Sequence, residues 1–277
     1  MAVMNSEKMD MTQGSLWDKI LIFAIPLAAS SILQQLFNSV DTAVVGRFAS
    51  SQALAAVGSN SSLISLMINL FIGISLGSNV VIAHYIGQKS EDNIHAAVHT
   101  AILVAIISGF FVMILGQFIA RPVLLLMGTP EDVIELAVLY LRIYLIGMPF
   151  IMLYDFGSSI LRSMGDSKRP LYSLIAAGII NTALNLVLVI VFGLGVAGVV
   201  SSGIVIYVLT HEAAPIKLDL RKLSISGGEL KKILSIGLPA GIQGMMFSIA
   251  NVCIQSTINS FGSSAIAGSA ASLNFEF

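Results

Sequence analysis

The sequence predicts an all-α, polytopic membrane protein: a six-helix bundle followed by an incomplete second copy of the same bundle. Three observations carry that prediction. The chain is 56% hydrophobic and only 10% charged, with a mean hydropathy of +0.91, well outside the range of water-soluble domains. Several unbroken apolar runs reach the roughly 20 residues a helix needs to cross a hydrocarbon core of about 30 Å. Finally, the opening apolar segment recurs near residue 232. Closed barrels are the other spanning architecture, but they need short alternating strands rather than such runs.

Taken in order, spans are expected near 20–45, 53–82, 96–119, 137–161, 171–192 and 233–259, with another starting near 265. Residues 1–18 are mostly polar, and the run after them is too long for a signal-peptide core, so it reads as a retained first span. The stretch VAGVVSSGIVIYVL, 196–209, reaches only about 21 Å at 1.5 Å per residue and is a short sixth span.

Lysine and arginine set the orientation, because cytoplasmic loops collect them. With six spans and the N-terminus inside, 11 cations fall inside and only Arg47, Arg121 and Arg142 outside. This places the chain in the cytoplasmic membrane, multi-pass, with a cytoplasmic N-terminus, and it requires the short sixth segment to cross.

The repeat pairs KILIFAIPLAASSILQQLFNSVDTAVVGRFASSQALAA from Lys19 with KILSIGLPAGIQGMMFSIANVCIQSTINSFGSSAIAG from Lys232, aligning Pro26 with Pro239, Asn38 with Asn251 and Phe48 with Phe261. A repeat spaced by six spans keeps its direction through the membrane and implies two parallel bundles related by an axis along the membrane normal. The expected organisation is a first bundle over 1–210, a cytoplasmic linker over 211–232 and an incomplete second bundle over 233–277, as in a fragment of a longer protein. The linker is polar, basic and broken by Pro215 and Gly227-Gly228.

A net charge of −1 gives no ground for a nucleic-acid partner, one cysteine excludes an internal disulfide framework, and the four histidines lack metal-site spacing. No nucleophile and base stand at usable spacing, so an enzyme is not expected. GLGVAG, 193–198, matches a dinucleotide fingerprint without the βαβ unit it needs, and reads as an outer turn. GISLG, 73–77, reads as a small-residue face for close helix contact.

The chemistry rests on a few polar groups. Asp41 ends a segment with no other charge back to Lys19. A carboxylate at mid-membrane costs on the order of 2.5–3.5 kcal/mol on insertion scales and faces a protein interior or watery cavity. There it can exchange a proton between the two sides. Two readings stand side by side: Asp41 as the boundary residue beside Arg47, or as an interior group, since TAVV continues the apolar run. Asp155 lies seven residues, about 10 Å, before Arg162, and pairs with that arginine or supplies a second carboxylate. Asn181 and Asn185 are four apart on one face, about 16 and 22 Å from Pro170. They serve either helix-to-helix hydrogen bonding or a cation site.

Together IPLAASSILQQLFNSVDTAVVGRF, GISLGSNVVIAHYIGQKSEDNIHAAVHTA, ILRSMGDSKRP and ILSIGLPAGIQGMMFS resemble the multidrug and toxic compound extrusion (MATE) family of cation-coupled exporters. The resemblance covers nearly the whole chain. It implies twelve helices in two bundles around a V-shaped cavity, and antiport of organic, often cationic, drugs against protons or sodium ions, with no other cofactor. It also implies a cation-coupling site of Asp41, Asn181 and Asn185, open to H⁺ or to Na⁺ at Asp41; Gln34 and Asn38, seven and three residues before Asp41 and on or near its helical face, are the candidate substrate contacts. The family pattern often has Asp where this chain has Asn185, which removes one acid from that site. Gln255 is the nearest polar candidate on helix 7, and Glu276 would begin helix 8. Two alternatives accompany this expectation. One is a flippase for lipid-linked oligosaccharides, which needs several cavity cations where the spans offer little beyond Arg142. The other is a fragment that inserts without transporting.

Overall fold

A computed structural model describes residues 16–48, 50–188, 217–219 and 223–272. Every described element is helical: α1 (Leu16–Phe48), α2 (Ser51–Gly87), α3 (Glu91–Leu126), α4 (Ile134–Ile146), α5 (Met148–Ser163), α6 (Lys168–Leu188), α7 (Gly227–Asn259) and α8 (Ser263–Ser272). The sixth span expected at 196–209, the turn at 193–198 and Glu276 lie outside the described residues.

Among the described residues four helices are long and apolar enough to cross a membrane alone, Trp17–Val40 within α1, then α2, α3 and α7, and α4 and α5 pass the same test only as a bent pair. The span expected near 137–161 falls on this pair, and the chain bends by 47° between Ile146 and Met148. Pro149 is the cause. It stands in the first turn of α5, where it has no N–H to donate and its ring would collide with the carbonyl a turn earlier in a continuous helix. The bend is packed: a Cβ added to Gly109 of α3 would sit 2.5 Å from the Pro149 Cα.

α2 is the hub. It packs on α3, α4 and α5 to one side and on α7 and α8 to the other, while α1 and α6 pair at the flank. The buried core of Ile82, Ile102, Leu141, Leu145, Met148, Met152 and Phe156 sits among α2, α3, α4 and α5. Outward-facing positions are just as apolar, with Phe118, Phe247 and Ile25 at 76%, 73% and 65% exposure. Apolar residues on both the inside and the outside identify lipid as the surrounding solvent. Association of the helices then depends on close packing and interhelical hydrogen bonds rather than on escape from water.

Glycine provides the closest of these contacts. Gly73 and Gly77 of α2 meet Gly237 and Gly241 of α7 backbone to backbone, so that a Cβ at Gly237 would lie 2.6 Å from the Ile74 Cα and one at Gly241 would lie 2.5 Å from the Leu70 carbonyl oxygen. The small-residue face GISLG is therefore a helix contact, and its partner is the SIGLPAGIQG stretch of the repeat. α1 and α7, the two copies of that repeat, are each 33 residues long and each carries an internal proline, Pro26 and Pro239.

Candidate functional site

The side chains of Asp41, Asn181 and Asn185 lie outside the described residues, but the helices that carry them do not. α1 packs directly on α6, and the contact has a defined register. The Phe37 ring lies over Gly178, in space that any Cβ at that position would occupy. With α4 and α5 read as one bent crossing and each short connection as a reversal, α1 and α6 run in the same direction. From the Phe37–Gly178 contact, Asp41 is four residues farther on, about 6 Å along the axis, while Asn181 and Asn185 are about 4.5 and 10.5 Å along theirs. The backbone level of the carboxylate thus falls between those of the two amides.

Gln34 and Asn38 lie about two turns and one turn before Asp41 and are exposed. The Asn38 carbonyl accepts the Thr42 hydroxyl at 2.9 Å.

Asp155 belongs to a different level. The neighbouring Tyr154 hydroxyl donates to the Pro170 carbonyl at 3.3 Å, tying that turn of α5 to the start of α6, eight residues or about 12 Å before Gly178. Asp155 is half-buried. The expected pairing with Arg162 is not made: among the described residues no ion pair within 4.0 Å joins the two. Two helical turns separate them, and the Arg162 Nε is itself buried without a partner.

The motif ILRSMGDSKRP resolves into a connection. Gly165 ends α5 at φ +79°, a conformation that costs glycine little. The Asp166 Oδ1 then accepts the Lys168 and Arg169 N–H groups, each at 3.1 Å, and Oδ2 pairs with the Arg169 Nε at 3.0 Å. An acid that caps the first free N–H groups of a helix is doing structural work.

Gln255 is likewise engaged. It is buried and donates to the Asn259 Oδ1 at 2.9 Å, while the Asn259 Nδ2 donates to the Met127 carbonyl at 3.0 Å. The pair fastens the end of α7 to the end of α3. Among the described residues no three His, Cys, Asp or Glu side chains converge as metal ligands would.

Two polar contacts were not foreseen from the sequence. Asn69 of α2 donates to Ser248 of α7 at 2.8 Å. Tyr85 of α2 donates to Glu229 of α7 at 3.1 Å, and Lys232 completes a triangle with both. Glu229 stands in the polar run GGELKK, and nothing in that run points to a partner 144 residues away.

With this geometry in hand, comparison with known proteins is direct. The MatE family model matches residues 26–187, more than half of the chain. The probable multidrug resistance protein YoeA of Bacillus subtilis (strain 168) is 33% identical over 272 residues, covering 92% of this chain and 59% of its own length. A structure described as the inward-facing conformation of a multidrug resistance MATE family transporter of the MOP superfamily superposes with a TM-score of 0.78 at 25% identity, over 91% of this chain and 60% of that one. An outward-facing conformation superposes with a TM-score of 0.79 at 26% identity, over 89% and 56%. The chain spans about six tenths of the length of these relatives. It is a multi-pass membrane protein, and it belongs to the MatE family.

Proposed function

We propose that this chain forms the ion-coupling part of a secondary-active exporter that exchanges organic, often cationic, compounds for protons or sodium ions across the cytoplasmic membrane, with its N-terminus inside. Asp41 loads and unloads the coupling ion, Asn181 and Asn185 are its polar neighbours, and Gln34 and Asn38 lie on the substrate side. The observation that supports this reading is the α1–α6 register. Phe37 over Gly178 brings the level of the lone intramembrane acid of α1 between those of two amides of α6. A carboxylate in so apolar a helix is expensive unless it has partners of this kind. Protonation or sodium binding lowers its cost, and drug occupancy competes with it, so each opening carries one cargo only. Asp155, level with Pro170 and about 18 Å along the axis from Asp41, is a second acid on the route rather than a member of the same cluster. The multidrug resistance names of the relatives support the cargo class. The cation-poor spans weigh against a pyrophosphate-linked lipid, because Arg142 is exposed and its carbonyl is held by Gln117 at 3.0 Å. Dye efflux from cells expressing the gene tests the reading: Asp41→Asn abolishes export while leaving membrane insertion intact, and undiminished export removes Asp41 from the mechanism.

A further inference from the structure

His99 lies eight residues after Glu91 opens α3, at the end that is inner in the orientation proposed above, and it is 1% exposed. Both of its ring nitrogens are committed. Nδ1 faces the His95 carbonyl at 2.8 Å, and Nε2 faces the Asp219 N–H at 3.2 Å. A carbonyl only accepts and a backbone N–H only donates, so the proton sits on Nδ1, Nε2 accepts, and the ring is neutral. The His95 ring stacks on it, with 3.9 Å between centroids and 30° between planes.

The Asp219 N–H belongs to residues 217–219, which lie against this end of α3. Leu218 is 2% exposed, sunk into the same core as Ile94 and Val98. One residue along α3 from His99, the buried Thr100 hydroxyl accepts the Ser226 N–H at 3.0 Å, just ahead of α7. Of these fastenings only one titrates. Leucine burial and a hydroxyl acceptor are indifferent to pH, whereas a proton on Nε2 turns the acceptor into a donor that confronts the Asp219 N–H. It also leaves a full charge at a site closed to water and against a second imidazole. Both effects oppose docking.

The other titratable groups on the elements packed at this end are Lys217 and Asp219 on the segment, Tyr85 from α2, and Glu229 and Lys232 from α7. The last three are bonded to one another. The Asp219 carboxylate can take over the charged Nε2 only once its own N–H has turned away, so it favours release rather than docking.

We infer that His99 is a proton-operated dock for residues 217–219: neutral, it fastens them to α3, and protonated, it lets them go. Acidity is thereby read at a point apart from the level of Asp41, on the side chain whose charge ordinarily changes between about pH 5 and 8.

Thiol labelling of the detergent-purified protein tests the dock without relying on transport. Cys253→Ser removes the only cysteine. Leu218→Cys then places a thiol at the docked position, and Lys217→Cys, on its exposed neighbour, is the reference that absorbs the pH dependence of the thiol chemistry itself. The ratio of the two maleimide labelling rates rises by about tenfold from about pH 8 to about pH 5.5. His99→Gln keeps an acceptor oxygen near the place of Nε2 and does not titrate, so its ratio stays low and flat, while His95→Gln keeps the rise. A flat ratio with His99 in place, or a rise that survives His99→Gln, overturns the dock. Where Leu218→Cys is already labelled as fast as Lys217→Cys at the higher pH, hydrogen exchange over 217–219 with Leu218 retained decides, after correction for the intrinsic rate. Protection that falls on acidification and holds in His99→Gln upholds the dock, and protection that ignores pH, or falls equally in His99→Gln, overturns it.

Discussion

Two of the helix pairs that meet through glycine do opposite things with it. Where α2 crosses α7, Gly73 and Gly77 face Gly237 and Gly241, and backbone fills the space. Where α1 meets α6, a single glycine, Gly178, admits the ring of Phe37, and the next turns of both helices carry Asp41, Asn181 and Asn185. The first contact leaves no room for an ion or water. The second sets an aromatic contact a turn or two from the level proposed above as the ion site. Glycine spacing alone therefore marks close approach, and the residues one turn away decide whether that approach is a joint or a site.

The largest effect is expected from filling the joint. Gly237→Leu drives a side chain into the Ile74 backbone, which has no rotamer to yield, and destabilises the protein by about 3 kcal/mol or more. The check is thermal unfolding of the detergent-purified protein by size-exclusion fluorescence. A transition within a degree of the parent would show that the two helices do not meet as described. Next in size, Asp41→Asn lowers efflux by more than about tenfold with the unfolding transition preserved, because an amide keeps the shape and loses the titrating charge. Gly178→Ala comes third. The methyl pushes Phe37 aside and shifts the α1–α6 register, so efflux falls by about threefold, and adding Phe37→Leu restores part of it. If Gly178→Ala exports at the parental rate, the register is not what aligns the acid with the amides. The smallest effect belongs to Ser248→Ala, which deletes one hydrogen bond to Asn69 beside the glycine joint and costs about 0.6 kcal/mol, read in the same unfolding assay.

The helical class was legible because spanning a bilayer demands long apolar runs, and those runs survive any rearrangement of tertiary contacts. The break at Gly147–Met148 was legible in principle from Pro149, but an apolar run alone does not say whether a proline bends a helix or sits within it, as Pro26 and Pro239 do in α1 and α7. GISLG announced a close contact, yet small residues carry no address, and only the fold shows Gly237 and Gly241 opposite. Partnerships between distant segments were the least legible. Glu229 looks like one more solvated acid beside Lys231 and Lys232, and its burial follows from Tyr85 having been carried to it by the length of α2. Within the candidate site, the residue types pointed to Asp41 and the amide pair, whereas their common level depends on Phe37 and Gly178, neither of which has chemistry to advertise.

The account stands on Asp41 exchanging its ion for drug. The most direct measurement is counter-ion movement in proteoliposomes, with a pH dye and a sodium-sensitive dye in parallel, when drug is added to one side. The parent chain should move one of the two ions against the drug, and Asp41→Asn should move neither ion nor drug. Coupled counter-ion movement of undiminished size in Asp41→Asn would contradict the mechanism.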